Sequence, residues 1–221
     1  MSKIRPILMN TEMARATLDN RKTQTRRLIP WKYVSLADTD RNDPSYFCVE
    51  DDAGNWWSGV EIAPYQVGDI LYVRETWREW HSSDSECGCG GDYCTCSVKP
   101  STPACYKADG HVIEDEDREM YGIKWTPSIH MPKWACRLFL RVTDVRMERL
   151  QQISANDARA EGCPDIPVPG ANQADVDFMA IEWFADIWDT TTTKSGTRWE
   201  DNPWVWVYGY EICAKPEGWG E

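Results

Sequence analysis

"DNRKTQTRRLIP", residues 19–30, decides the reading of this chain, because its left end closes a helix and its right end opens a strand. Upstream, "NTEMARATLD" (10–19) has the pattern of a helix. Asn10 or Thr11 caps its start, Glu12 sits in the first turn where the helix dipole favours an acid, and Met13, Ala16 and Thr17 share a face. Downstream, "TQTRRLI" (23–29) alternates with the period of a strand and stops at Pro30. Lys22 therefore falls at a helix-to-strand junction, where functional side chains are commonly displayed.

The stretch stands out electrostatically. Residues 1–33 carry eight Lys or Arg against Glu12 and Asp19, a net of +6, which leaves −18 to the remainder of a chain whose total is −12. An acidic surface repels a nucleic-acid backbone at long range and disfavours extended, sequence-independent duplex binding. A local basic pocket for one nucleotide or a short strand is compatible with it. The chain has 221 residues, 42% of them hydrophobic and 13 of them Trp, enough for a packed core with rings left over to stack on a planar ligand.

Working outward, "IRPILM" reads as a first strand and "YFCVEDDAGNWWSGVEI" as a hairpin turning at "DDAGN". Gly68-Asp69 makes a turn into a strand from Ile70 to Trp77. "ACYKAD" reads as a short strand, and "VIEDEDREMYG" as a solvated acidic segment. Residues 136–147 form a long strand, and "SANDARAEG" (154–162) a short helix with Ser154 and Asp157 as a capping box and Gly162 as its stop. Residues 174–189 form a helix with Phe178, Ile181, Ala185 and Trp188 on one face. "PWVWVYGYEIC" closes the chain with Trp204, Trp206, Tyr208, Tyr210 and Ile212 on one face of a strand. Strands dominate and helices are interposed singly. That is an α+β pattern, a small mixed β-barrel with flanking helices and loop insertions. We read residues 1–221 as one domain with a Cys-rich insertion at about 78–103.

"RKTQTRR" (21–27), "VGDILYVRETW" (67–77), "SANDARAEG" and the closing aromatic strand together resemble the ASCH domain, of the PUA-like superfamily. "RPILMNTEMARA", "WTPSIHMPKWACRLFLRVTDVR" and "NPWVWV" are similar to the longer form found in bacteriophages and prophages. The resemblance runs in pieces from about residue 4 to 213 and leaves out insertions at about 30–60, 78–125 and 163–173. It implies a PUA-like β-barrel with a cleft beside the first helix, and relatives that bind RNA, DNA or modified nucleobases. It also implies an amidohydrolase that removes acyl groups from N4-acylated cytidine with a lysine, a threonine and a glutamate. Matched motif by motif, these fall on Lys22, Thr25 and Glu161. The family's glycine before Arg-Lys is Asn20 here, and Asn tolerates the left-handed conformation of a helix stop.

The chemistry fits these residue types. Amide hydrolysis needs a nucleophile, a proton acceptor and a stabilised oxyanion. A lysine takes the threonine proton once burial or nearby cations lower its pKa, and a glutamate positions water or protonates the leaving amine. Arg21, Arg26 and Arg27 supply cations for a phosphate. The competing reading makes Lys22 and Arg21 an ordinary helix terminus that complements the dipole. Glu75 is placed to accept from a base amino group, or else pairs with Arg74 or Arg78. Trp77 and Trp134 stack a base or fill the core. His130 lines the cleft or serves structure.

The expected partners are a modified nucleoside or short single-stranded RNA or DNA. A host protein drawn to the acidic surface is the alternative. No run of 18 apolar residues and no cleavable leader is read, so a cytoplasmic protein without a membrane segment is expected. No organic cofactor is expected. "CGCGGDYCTC" places Cys87, Cys89, Cys94 and Cys96 in a C-x-C-x4-C-x-C pattern, with His81 or Cys105 as substitutes. Four thiolates with glycines between them fold around one structural Zn²⁺, which leaves no open position for water. Elemental analysis of freshly reduced protein is expected to find one zinc per chain; a metal-free protein removes the site.

Overall fold

The computed structural model describes residues 2–34, 47–50, 53–79, 104–113, 115–165, 170, 172–192 and 194–219. Its architecture is α+β. Five strands form one sheet: β1 (Ile4–Leu8), β2 (Gln24–Leu28), β5 (Ile70–Arg74), β8 (Phe139–Arg149) and β9 (Trp204–Cys213), in the order β1-β5-β8-β9-β2. The sheet is mixed. Ile70 N donates to Lys3 O and Met9 N to Arg74 O, so β1 and β5 run in step; β2 and β9 are antiparallel, with Thr25 opposite Tyr208 and Arg27 opposite Trp206. Two short hairpins complete the strands, β3 (Cys48–Glu50) with β4 (Trp56–Ser58), and β6 (Trp77–Glu79) with β7 (Ala104–Tyr106). The helices are α1 (Thr11–Leu18), α2 (Trp31–Val34), α3 (Asp115–Tyr121), α4 (Ala155–Ala160) and α5 (Gln173–Thr191).

The chain divides into two units: Met1–Arg5, Ala16–Leu71 and Leu140–Cys213, and Pro6–Arg15, Tyr72–Phe139 and Ala214–Glu221. In the first, β9 is covered on both faces, which is why "WVWVY" is apolar throughout. Val205 and Val207 pack with Ile153, Phe184 and Trp188. On the other face Trp204 meets the edge of Phe47 at 5.8 Å, Tyr208 meets Tyr65 at 5.1 Å, and Trp206 Nε1 donates to Gly59 O at 2.8 Å. In the second unit, Trp219 packs on Tyr72 and Phe139, with ring centroids 4.6 and 5.5 Å away.

Several expectations shift. The strand expected from Ile70 to Trp77 breaks at Glu75 and Thr76. Its first half pairs in the main sheet, whereas Trp77 pairs with Tyr106 and bridges to Thr126. The acidic segment at 115–121 is an exposed helix, α3, with an Arg118–Asp115 ion pair one turn apart. On α5 the buried stripe is Ala180, Phe184, Ala185 and Trp188; Phe178 points outward at 62% exposure. "FMAIEWF" carries apolar residues on neighbouring stripes, and periodicity alone does not choose between them. Ile212, beyond the covered part of β9, is exposed.

Gly59 is where the packing leaves no room. A Cβ there would lie 2.0 Å from Met147 Sδ and 2.8 Å from Phe47 Cδ1, and both of those side chains are buried. Gly59→Ala is expected to lower the free energy of unfolding by about 1–3 kcal/mol through overpacking. Chemical denaturation checks this, and an unchanged midpoint would mean that Met147 repacks freely.

Candidate functional site

Two helix ends deliver the central pair of side chains, both in the first unit. At the end of α1, Asn20 adopts a left-handed φ of 57°, Asn20 N donates to Thr17 O and Arg21 N to Ala16 O. At the end of α4, Gly162 adopts φ 103°, Gly162 N donates to Arg159 O and Cys163 N to Ala158 O. Both are Schellman stops, one built on Asn and one on Gly. The first releases Lys22, and the second holds Glu161 as the C-cap. Lys22 and Glu161 then form an antiparallel bridge, and Thr23 N donates to Ala160 O at 2.7 Å. A Cβ on Gly162 would approach Lys22 Cβ to 3.3 Å, so glycine serves both the backbone angle and the close approach. The expected capping box starts α4, with Ser154 Oγ accepting from Asp157 N.

The Lys22 ammonium donates to Glu161 Oε2 at 2.5 Å and to Glu161 O at 2.9 Å. Arg26 Nη1 donates to the other oxygen, Oε1, at 2.9 Å. Neither cation's side chain has any solvent exposure, and that of Glu161 has 4%. The network continues outward. Arg26 Nε donates to Glu148 Oε1 at 3.0 Å, Arg26 Nη2 lies 3.6 Å from Asp157, and Arg146 joins Glu148 at 3.3 Å to Asp157 at 2.9 Å. Lys22, Arg26 and Arg146 thus face Glu161, Glu148 and Asp157. Burial pushes the Lys22 pKa below its ordinary 10.5; Glu161 pulls it back up, while Arg27 and Arg26 push it further down.

Strand alternation separates the neighbours of Lys22. Arg26 turns towards α5, its guanidinium 5.5 Å from the Phe184 ring. Thr25, one residue away, lies on the opposite face with its cross-strand partner Tyr208, and is buried. Among the described residues no hydrogen bond joins Thr25 to Lys22. Arg27 shares Thr25's face and is half-buried. Arg21 is exposed, donating to Gly162 O and Asp19. Of the three arginines expected to hold a phosphate, Arg26 is committed to carboxylates inside the protein. Of the network's outer members, Asp157 is expected only as a helix cap, and Arg146 and Glu148 carry no expected role. The alternation in "VTDVRMER" puts Asp144, Arg146 and Glu148 on one face, and that signal was there to read.

The other expected site residues lie in the second unit. Glu75 is buried and paired neither to Arg74 nor to Arg78: Arg137 donates to both its oxygens, at 3.0 and 3.1 Å. Arg137 also grips Asp109 at 2.7 and 2.8 Å and lies 3.7 Å over the Tyr106 ring. Burial raises the Glu75 pKa against the pull of Arg137, and burial likewise raises the Tyr106 phenol to about 12 and the Cys136 thiol to about 11. Trp77 is buried, with its ring edge-on to the half-exposed Trp134 at 5.4 Å, and His130 is exposed on a short 3-10 turn. Cys87, Cys89, Cys94, Cys96 and His81 lie outside the described residues. Among the described residues no three His, Cys, Asp or Glu side chains are grouped to hold a metal ion, and no helix is long and apolar enough to cross a membrane.

No family model and no curated protein sequence matches the chain. In structure the chain is similar to the ASCH domain from Lactobacillus crispatus JV V101, with 12% identity and a TM-score of 0.37 over 95% of this chain and 79% of that one. It is also similar to protein EF3133 from Enterococcus faecalis V583, described under the family model DUF984, with 9% identity and a TM-score of 0.41 over 96% of this chain and 77% of that one.

Proposed function

We propose that the protein recognises a modified pyrimidine base or nucleoside and hydrolyses the amide of N4-acylated cytidine, with Lys22, Thr25 and Glu161 as the working residues. The observation that supports this is the buried contact of 2.5 Å between Lys22 and Glu161, which two helix stops position three residues ahead of Thr25 in sequence. A buried lysine whose pKa is lowered is better suited to accept a proton than an exposed one.

The reaction runs in two halves. The Thr25 oxygen bonds to the acyl carbon, the carbonyl π pair moves onto its oxygen, and the Thr25 proton passes to the neutral Lys22 amine. The carbonyl re-forms, the C–N bond breaks, and the amino nitrogen of cytidine leaves with the proton from Lys22. Water then attacks the threonyl ester by the same route and releases the carboxylic acid. The Glu161 carboxylate holds the ammonium while Lys22 carries the proton.

A second reading is a base-binding module without chemistry. It is favoured by the occupation of both Glu161 oxygens, one by Lys22 and one by Arg26, which leaves the carboxylate little freedom to handle water.

Chromatography of N4-acetylcytidine incubated with the protein separates the two. Release of cytidine is expected, with Lys22→Ala slowing it by about 10²–10⁴-fold, the range of a lost general base. Binding without product would favour the second reading, and neither binding nor product would leave the cluster a purely structural one.

The pH profile is a separate expectation. The neutral amine forms as pH rises through the folded pKa of Lys22, so the rate is expected to climb along a limb centred below 10.5. Glu161 holds that pKa up, so Glu161→Gln should move the limb to lower pH as well as lower its height. A limb that stays in place in Glu161→Gln would show that Lys22 is not the titrating group.

A further inference from the structure

Lys22, Thr25 and Glu161 supply a proton acceptor, a nucleophile and a carboxylate, but nothing among them faces the negative charge that builds on the acyl oxygen. We propose that the Tyr210 hydroxyl is the hydrogen-bond donor to that oxygen, held in place by Thr17. The assignment rests on the amide-hydrolysis reading above and adds a residue to the same site.

The backbone puts Tyr210 there. Tyr210 N donates to Thr23 O at 2.9 Å, and Thr23 N donates to Ala160 O at 2.7 Å. One row of hydrogen bonds therefore runs from β9 through the segment after Lys22 to the end of α4 beside Glu161. On β9, Tyr208 lies opposite Thr25, and Tyr210 is two residues further along on the same face. That makes Tyr210 the diagonal neighbour of the nucleophile, a separation an aromatic side chain spans. Its ring is buried, and it sits close enough to Glu161 and Arg27 to feel both charges.

The hydroxyl is held as well as placed. Tyr210 Oη lies 3.3 Å from Thr17 Oγ1, and Thr17 is fully buried on α1 beside Ala16, whose carbonyl accepts from Arg21 N and Lys22 N. The helix stop that positions Lys22 thus positions the partner of Tyr210. The phenol remains protonated in this setting, because burial raises its pKa well above the ordinary 10.0. It donates a hydrogen bond and transfers no proton, so the balance of the reaction is unchanged. A neutral donor fixed before the substrate arrives stabilises charge that appears only in the transition state.

The test compares Tyr210→Phe with the wild type on N4-acetylcytidine, by steady-state kinetics and by calorimetric binding. Tyr210→Phe is expected to lower kcat about 10²–10³-fold, as when one oxyanion donor is removed, with KM and the pH limb left in place. A Tyr210→Phe variant that keeps the wild-type kcat overturns the assignment while leaving the hydrolytic reading intact. A wild type that binds the nucleoside without cleaving it, or does neither, overturns the hydrolytic reading and this role of Tyr210 with it. Should Tyr210→Phe fail to fold, Thr17→Val removes the anchor of the phenol. It should lower kcat more than Thr17→Ser, which keeps a hydroxyl; equal rates in the two overturn the assignment.

Discussion

The carboxylate of Glu161 is shared by two cations that have no other route to water. Lys22 holds one oxygen at 2.5 Å and Arg26 the other at 2.9 Å, and the side chains of both are wholly enclosed. Charges removed from water to this degree persist only when paired and hydrogen-bonded, and removing one partner typically costs about 3–5 kcal/mol because the other is left uncompensated. Here loss of Glu161 would strand Lys22, while Arg26 would keep Glu148 as its partner. The interaction also ties segments far apart in sequence: the end of α1, strand β2, and the end of α4. Arg26 extends the tie to Glu148 on β8. The local backbone is arranged around it, with a Schellman stop on each side.

The same interaction divides the labour along β2. A strand sends neighbouring side chains to opposite faces, so Arg26 and Thr25 leave β2 in opposite directions. Arg26 joins the carboxylates on the α5 side of the sheet. Thr25 joins Tyr208, and through the register Tyr210, on the other. Lys22 precedes the strand, where the chain leaves α1, and its charge is felt together with those of both Arg26 and Arg27. The junction is therefore more than a convenient place for display. It lies ahead of β2, before the alternation that sends Thr25 and Arg26 to opposite faces.

Much of this was legible in the residues themselves. Asn10 accepts from Met13 N as a cap, Asn20 takes the left-handed stop, Ser154 and Asp157 form the box, and Gly162 ends α4. Each of these signals is local, and local hydrogen bonding sets the outcome. What the sequence concealed was the pairing across distance. Glu148 and Glu161 meet Arg26 from 122 and 135 residues away, and Arg137 meets Glu75 from 62. No spacing rule reaches that far. In sequence, Arg74 and Arg78 are the nearest cations to Glu75. The chain instead turns at Glu75 and Thr76, ending β5, and the carboxyl is buried against an arginine that precedes β8.

Charge shows the cost of reading residues without their partners. Residues 1–33 hold a net +6, which on paper is a field to attract phosphate. Inside the fold, Lys22, Arg26 and Arg146 are met by Glu161, Glu148 and Asp157, three against three. Arg21 is tied to Asp19 in a half-exposed pair. Opposed charges a few ångströms apart cancel at any distance beyond the pair, and salt screens what remains within about 8–10 Å. The basic stretch thus loses part of its outside field at Lys22, Arg26 and Arg21, three of its eight basic residues. Its positive charge works at short range instead, lowering the pKa of Lys22 from the side of Arg26 and Arg27 while Glu161 opposes them. Part of the basic excess is, in the folded protein, the internal setting of one lysine.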